Sequence, residues 1–263
     1  FPRYSHFDLK KYSEPLFYTS RGCPFRCVFC MVEEHRRKTF RGRGADSIVK
    51  EIDYWYSQGQ RVFQIEDDNF TFDNDRIFEI CDAIEKRCYK DAVFGLGLGI
   101  RADRTTKEMW ERLFEIGFRY VSIAVEGGNN KILKNLRKEE TIEQIEKAIK
   151  DACEVGFEVR LFFVIGAKGE TREDIKDSFN LAEKYPVTYS RFNNLLPIPG
   201  TELYDWVKNE NLFIKPPEEY LNSFDMDYAE PWYETPEFTA QERRQAIIES
   251  DRANQKIFFR YLV

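Results

Sequence analysis

The sequence lacks any run of 18 apolar residues, and its mean hydropathy is −0.58, so no membrane-spanning helix is expected. It also lacks an excess of positive charge. Lys and Arg number 40 against 46 Asp and Glu, a net charge of −6. A protein whose main task is gripping phosphate backbones shows a clustered positive field instead, so nucleic acid is not an expected partner. Gly and Pro together number 24, too few for a fibre or a disordered chain. The chain starts at Phe1 with neither an initiator Met nor the charged-then-apolar layout of a signal peptide. The expectation is that it was cut from something longer or lacks its first residues, and that an N-terminal domain there would be the place for a second cofactor.

What is present is enough chain for one large domain or two small ones, with a real core. The aromatic content of 16% suits a well-filled core or a lined cavity. Phe1 to Pro15 is polar and aromatic without a helical period and reads as a linker or edge-packing arm.

Six cysteines are unevenly spread. Cys81, Cys88 and Cys153 lie singly in helical patterns and read as small core hydrophobes. Cys23, Cys27 and Cys30 form a C-x3-C-x2-C cluster within Ser20-Arg21-Gly22-Cys23-Pro24-Phe25-Arg26-Cys27-Val28-Phe29-Cys30. A disulfide scaffold would distribute its cysteines over a small, core-poor chain, so a reducing, cytoplasmic compartment is expected. Three thiolates on one short loop suit three irons of a cubane and leave the fourth iron without a protein ligand. Gly22 and Pro24 would shape the loop, and Arg21 and Arg26 would offset its negative charge. Zinc is the other reading, since His35 lies where it would complete a Cys3His tetrahedron; structural zinc sites more often pair C-x2-C with a distant second pair.

From residue 17 to about 209, short apolar runs alternate with longer amphipathic ones. Strands are predicted at Leu16 to Ser20, Arg61 to Asp67, Ala92 to Ile100, Arg119 to Glu126, Glu158 to Gly166 and Val187 to Leu196. Helices are predicted at Asp46 to Gln58, Asn74 to Lys90, Thr106 to Ile116, Ile142 to Val155, Arg172 to Lys184 and Glu202 to Lys208, with capping boxes at Thr105/Glu108 and Thr141/Gln144. Gly117 and Gly156 stand where helices close. Six strand–helix units imply parallel strands with right-handed crossovers. At roughly 32 residues per unit they fall short of the eight of a closed barrel. The predicted fold is therefore α/β, a partial (β/α)6 TIM-like barrel over 16–210, with an arm at 1–15 and a C-terminal capping segment at 211–263. That last segment holds an irregular aromatic stretch (Tyr220 to Pro236) and a helix from Thr239, capped by Glu242, to about Tyr261; it is expected to lie across the open side.

Strand periodicity points to a ligand-holding interior. Tyr120, Ser122, Ala124 and Glu126 share one face of their strand, and Gln64, Glu66 and Asp68 share one face of theirs, whereas strands buried by packing alone are apolar throughout. Gly95, Gly97, Gly99 and Arg101 share a face as well, leaving room for a bound molecule to approach the backbone. Asp67, Asp68, Arg101 and Glu126 all fall at C-terminal strand ends, the mouth where barrel enzymes place their chemistry.

With an aromatic before the third Cys and six βα units behind it, residues 16 to 210 resemble the radical SAM superfamily. The resemblance implies a [4Fe-4S] cluster on Cys23, Cys27 and Cys30, with S-adenosylmethionine (SAM) chelating the fourth iron. It places Phe29 against the adenine. It puts Glu66-Asp67-Asp68-Asn69-Phe70 where many members carry a Gly-Gly-Glu run for the SAM amino group; this acidic version looks like that of the cobalamin-dependent branch. Arg101 and Glu126 match SAM-contacting positions, and Lys138 matches the basic residue that pairs with the SAM carboxylate. Gly166-Ala167-Lys168-Gly169-Glu170-Thr171 is similar to the family's Gly-Leu-Pro-Gly-Glu-Thr turn. Leu196-Pro197-Ile198-Pro199-Gly200-Thr201 is similar to the Pro-x-Pro-Gly-Thr after strand six, which brings Leu196 to the cofactor.

The implied activity is reductive cleavage of SAM to a 5′-deoxyadenosyl radical that abstracts hydrogen from a substrate the sequence does not specify. A reductant such as flavodoxin or ferredoxin is the implied partner. Cobalamin-dependent methyl transfer is an alternative, although neither His6 nor His35 sits in the Asp-x-His-x-x-Gly motif that holds cobalamin. A zinc-stabilised binding module and a SAM-binding protein without turnover are the others. The basic run Arg36 to Arg43 reads as a solvated surface stretch, or as a guide for a redox partner or anionic substrate.

Overall fold

The computed structural model of the chain describes residues 16–32, 39–222 and 229–262. The arm at 1–15, both histidines, Phe224 and residues 36–38 of the basic run lie outside the described residues.

Six parallel strands run in the order β1 (Leu16–Phe17), β4 (Val62–Ile65), β5 (Val93–Ile100), β6 (Phe118–Glu126), β7 (Glu158–Ile165) and β8 (Tyr189–Asn194). Each is joined to the next by a helical crossover: α1 (Ala45–Ser57), α2 (Asn74–Arg87), α3 (Lys107–Glu115), α5 (Ile142–Val155) and α6 (Arg172–Lys184). A six-residue helix, α4 (Asn130–Asn135), precedes α5. The predicted open barrel is thus present, with β1 and β8 at its two edges.

The outer face is the hydrophobic core. Phe63 and Phe94 stack at 5.3 Å, Phe94 stacks on Phe118 at 5.3 Å, and Phe163 lies parallel to Phe192 at 4.5 Å. These alternate residues are all buried under the helices. The complementary set faces the lumen. Tyr120 lies so close over Gly95 that a Cβ there would meet its ring, and Gly97 likewise accommodates Gln64 and Glu66. The glycine face therefore belongs to the lumen as expected, but Gly95 and Gly97 make room for neighbouring lumen side chains.

Local chemistry explains most boundaries. Thr141 and Gln144 form the expected capping box, and Gly156 closes α5 at φ 108°. Thr106, one residue later than predicted, caps α3 by accepting from the Met109 N–H. Helix α2 stops at Arg87 because Cys88 turns left-handed at φ 54°. The first predicted strand is split. Leu16–Phe17 joins β4, while β2 (Ser20–Arg21) leaves the sheet and pairs antiparallel with β3 (Arg41–Gly42).

After β8 come α7 (Glu202–Asn209), α8 (Pro217–Leu221) and α9 (Ala240–Leu262). Thr239 and Glu242 cap α9 reciprocally. The capping segment was expected to lie across the open side; its long helix packs on the edge strand β8 and on α6. Ser190 of β8 donates its N–H and hydroxyl to Asn254 at 2.8 and 2.9 Å, and Arg172 pairs with Glu249. An amphipathic helix following β8 finds its apolar partner there, on the face that no earlier crossover covers.

The tail also grips the turn after β7. Tyr233 donates its hydroxyl to the Gly166 carbonyl at 2.6 Å. The wholly buried Arg243 donates to the Tyr233 and Phe238 carbonyls. Glu170 accepts from the Gly166 and Ala167 N–H groups at 2.5 and 3.1 Å. Burial nevertheless outweighs those bonds and pushes the Glu170 carboxyl up to about 7. An acid raised above its unfolded value is protonated in the fold while ionised in the unfolded chain, so it lowers stability as pH rises from about 4.5 to about 7. Glu170→Gln should flatten the stability–pH curve over that window, by something on the order of 3 kcal/mol. Urea denaturation at half-unit pH steps reads this directly; a parallel curve for the variant refutes it.

Candidate active site

All the connections that carry predicted site residues leave the C-terminal ends of the strands, so the site is assembled at one mouth. Its foundation is Asp67, just beyond β4. Asp67 Oδ1 accepts from the Thr19 N–H at 2.6 Å, and Oδ2 accepts from the Thr19 and Ser20 hydroxyls, both at 2.5 Å. Arg76 of α2 supports the same corner by donating to the Thr19 carbonyl and hydroxyl. Gly42 gives Arg76 its space, since a Cβ there would lie 2.6 Å from Nε. Asp67 is 4% exposed, so this predicted cofactor residue positions the loop that follows.

That loop carries the cysteines. The Gly22 N–H donates to Asp68 Oδ2 at 2.6 Å, and Asn69 Nδ2 approaches Cys23 Sγ at 3.4 Å. Farther on, the Val28 N–H bonds the Leu136 carbonyl at 3.1 Å, and the Val28 carbonyl accepts from Leu203 at 2.9 Å. The loop is therefore held between the ends of α4 and α7. Phe29 packs with Val28 against the apolar cluster of Ile132, Leu136, Ala167, Leu195 and Leu203. Leu196 is half-buried beside it in sequence, just past β8.

The three thiols are free of disulfides and half-buried. Burial pushes the Cys27 thiol up to about 12, with Lys138 and Arg101 pulling it back and Glu126 and Cys30 adding to the rise. Burial also raises Cys30, and Cys23 adds to it. The thiols thus share one electrostatic neighbourhood, where a bare thiolate is costly and metal ligation removes the cost. Among the described residues, no three His, Cys, Asp or Glu side chains converge on one metal ion. Zinc draws every donor to about 2.0–2.3 Å from a single centre. A cubane gives each thiolate its own iron. Three soft thiolates on one loop have the donor chemistry of a [4Fe-4S] cluster; the zinc reading depends on His35, outside the described residues.

Opposite the loop lies a buried charge network. Lys138 Nζ stands 3.7 Å from Glu126 Oε1 and 3.3 Å from Glu140 Oε2. Desolvation works to lower Lys138, but Glu126 and Glu140 outweigh it and hold the ammonium above its usual range. Desolvation raises Glu126, and Lys138 opposes this. Glu140 accepts from the Ala102 and Asp103 N–H groups at 2.5 and 2.9 Å. Arg101 donates to the Lys138 carbonyl at 2.6 Å, to Glu139 O at 3.2 Å and to Asp103 at 3.0 Å, and its guanidinium lies 3.4 Å from the Phe25 ring centroid. Arg101, predicted to touch the cofactor, is occupied in tying the 138–140 turn to the cysteine loop. Glu126, Arg137 and Glu139 all have φ between 53° and 67°, a left-handed conformation that costs non-glycine residues of order 1–3 kcal/mol and clusters at working sites.

Sequence reasoning missed Glu140 and Phe25. Glu140 stands in the charged run Arg137-Lys138-Glu139-Glu140, and only the fold buries its carboxylate.

This mouth, with three thiols on the first connection and a buried ammonium across from them, defines an open-barrel enzyme that holds a metal cluster. The sequence profile of the Radical SAM superfamily matches residues 17–182, and the chain belongs to that family. It is an enzyme of a family whose cofactors are a [4Fe-4S] cluster and SAM. It is 29% identical over 203 residues to an uncharacterized methyltransferase of Pyrococcus horikoshii, a match covering 74% of this chain and 42% of the relative. It is also 29% identical over 227 residues to the cytidylyl-2-hydroxyethylphosphonate methyltransferase of Streptomyces wedmorensis, covering 77% and 42%. The chain thus spans about two fifths of the length of these curated relatives. Among solved structures it resembles the radical SAM methyltransferase TsrM of Kitasatospora setae, with tryptophan and a SAM analogue bound. The TM-score is 0.71 at 18% identity, covering 77% of this chain and 40% of TsrM, a likeness of fold. TsrM is also solved with cobalamin and a [4Fe-4S] cluster.

Asp67→Ala leaves a buried N–H and two hydroxyls without their acceptor. It should cost about 2–4 kcal/mol and reduce iron retained after reconstitution, because the loop start is no longer held. Thermal unfolding and iron analysis measure both; full iron at unchanged stability contradicts the role.

Proposed function

We propose that the chain is the cluster- and SAM-binding core of a radical SAM enzyme that takes hydrogen from its substrate. The observation that carries this reading is the convergence of Cys23, Cys27 and Cys30 on one barrel mouth with Asp68, Asn69, Glu126 and Lys138. When bound and reduced, the cluster would supply the electron for reductive cleavage of SAM, the chemistry by which this family takes hydrogen from a substrate.

The chain's own residues do the holding. The three cysteines ligate three irons, and Asn69 steadies Cys23. Asp68 keeps the loop at the mouth and offers carboxylate charge to the SAM amino group. Lys138 serves the SAM carboxylate, and Glu126 beside it keeps that ammonium charged and aimed. Arg101 positions the Lys138 turn. Phe29 and Leu196 offer apolar surface to the adenine. A flavodoxin or ferredoxin is the proposed electron donor.

Methyl transfer through cobalamin is a second reading, favoured by the cobalamin found in TsrM. Residues 1 to 263 contain no Asp-x-His-x-x-Gly motif, so the cobalamin would be held without that motif or by a domain outside these residues.

Anaerobic reconstitution with iron and sulfide should give a brown protein with about four irons per chain. Reduction with SAM should then yield 5′-deoxyadenosine, and Cys27→Ala should lose both cluster and product. A colourless protein with tightly held zinc, or SAM binding without any cleavage product, removes the reading. Labelled methyl from SAM appearing on added hydroxocobalamin, reduced to cob(I)alamin in the same mixture, selects the cobalamin route.

A further inference from the structure

The lower lumen contains a group of side chains that the cofactor site does not use. Along β7 the buried outer residues are Val159, Leu161 and Phe163, so Glu158, Arg160 and Phe162 face inward. Along β8, Ser190 and Phe192 face outward against α9 and α6, so Tyr189 and Arg191 face inward. These inward residues, with Thr188, line a cavity of about 390 Å³ beside the open edge of the barrel.

Arg160 and Arg191 form no ion pair with any described residue. The Arg160 guanidinium lies 5.0 Å from the centroid of the Tyr120 ring, itself a lumen side chain. Arg191 donates only to Asn193, at 3.2 Å. Elsewhere the described arginines are mostly committed to carboxylates or backbone carbonyls, as at Arg43, Arg61, Arg101, Arg112 and Arg172. The cavity itself contains a single carboxylate, Glu158, exposed at the start of β7. Two guanidiniums facing one cavity with no carboxylate partner among the described residues suit an oxyanion, because the planar fork binds phosphate and carboxylate bidentately and is weakly hydrated.

We infer that this cavity binds an oxyanionic group of the substrate, a phosphate or a carboxylate, through Arg160 and Arg191. The inference rests on the proposed radical SAM reading and adds the substrate's chemical class and reach. Arg160 lies in register with Ser122 of β6, and Glu126 at the mouth is four residues farther along that strand. Arg191 is level with Ala124, through Phe162 of β7, two residues short of Glu126; at about 3.3 Å per residue the anion held by the pair sits about 7–13 Å below the cofactor end. The substrate is therefore an extended molecule, with its reacting carbon at the mouth and its anionic group near the open edge of the barrel.

The test uses the reconstituted chain without SAM or reductant, so it reports on the anion site whether or not 5′-deoxyadenosine can be formed. Phenylglyoxal modification of each arginine is followed by peptide mass spectrometry with glycerol 2-phosphate, succinate or, as a neutral control, glycerol. We expect at least fivefold slower modification of Arg160 and Arg191 with one or both anions and none with glycerol. Protection by glycerol 2-phosphate alone assigns a phosphate, and protection by succinate alone assigns a carboxylate. Calorimetric titration of the protecting anion should weaken at least tenfold in the Arg160→Gln/Arg191→Gln variant and stay unchanged in Arg252→Gln, on the outer face of α9. Circular dichroism checks that each variant is folded. Equal modification rates with every additive, or equal anion affinity in the folded double variant, overturns the inference.

Discussion

The bond set around Asp67 is the constraint on which the rest of the site depends. Strand β1 is only two residues long and contributes little sheet pairing of its own. The cysteine loop begins three residues after Thr19, so its position over the mouth is set by whatever holds Thr19 and Ser20. A single carboxylate, buried among three donors and backed by Arg76, does this. Burial raises Asp67, and its hydroxyl and N–H donors oppose the rise. Those donors replace the water that the buried group gives up.

From that corner the structure extends in two directions. Asp68 and Asn69 carry the order from β4 into the loop, so a short acidic stretch predicted to meet the cofactor first shapes the cofactor's cradle. On the far side, Glu140 ties Lys138 to the start of the connection after β5, and Arg101 stacks under Phe25 of the cysteine loop. The two halves of the mouth therefore meet through side chains, although the loop and the 138–140 turn are more than a hundred residues apart. Buried charges this dense are expensive to desolvate. Each is satisfied by an opposite charge or by backbone groups, which makes the arrangement rigid and specific in geometry.

The barrel is open, and the polar lining expected from strand alternation is present in the lumen. Tyr120, Gln64 and Glu66 form one linked group there, with Tyr120 donating to Gln64 at 3.3 Å and Gln64 donating to Glu66. The glycines of β5 make this crowding possible, since any side chain at Gly95 would collide with the Tyr120 ring. The tail closes the helical layer beside β8, and Tyr233 and Arg243 brace the turn after β7 from outside. Among the described residues β1 and β8 are the edges of the sheet, and the cavity lined by Arg160 and Arg191 lies on the β7–β8 side.

Much of this was legible in the residues alone, for definite reasons. Periodicity depends on which face of an element meets water, so six strand–helix units and their polar inner faces can be read without coordinates; α5 and α6 begin and end where their caps require. The C-x3-C-x2-C spacing is equally local, because three soft ligands on one loop have few other uses. Other features depend on which distant backbone a side chain finds. Asp67 and Arg101 were expected as ligand contacts because they stand at strand ends; the protein groups that each also holds could not be read from the sequence. Glu140, among charged sequence neighbours, gave no signal of its own, and it is enclosed by the connection after β5. The final helix carries an apolar face whose partner its own pattern could not name. Hydrophobic alternation and thiol spacing are properties of a segment and travel with it. Charge pairing, burial of a carboxylate and the docking of a tail are decided between segments, and only the folded chain brings those together.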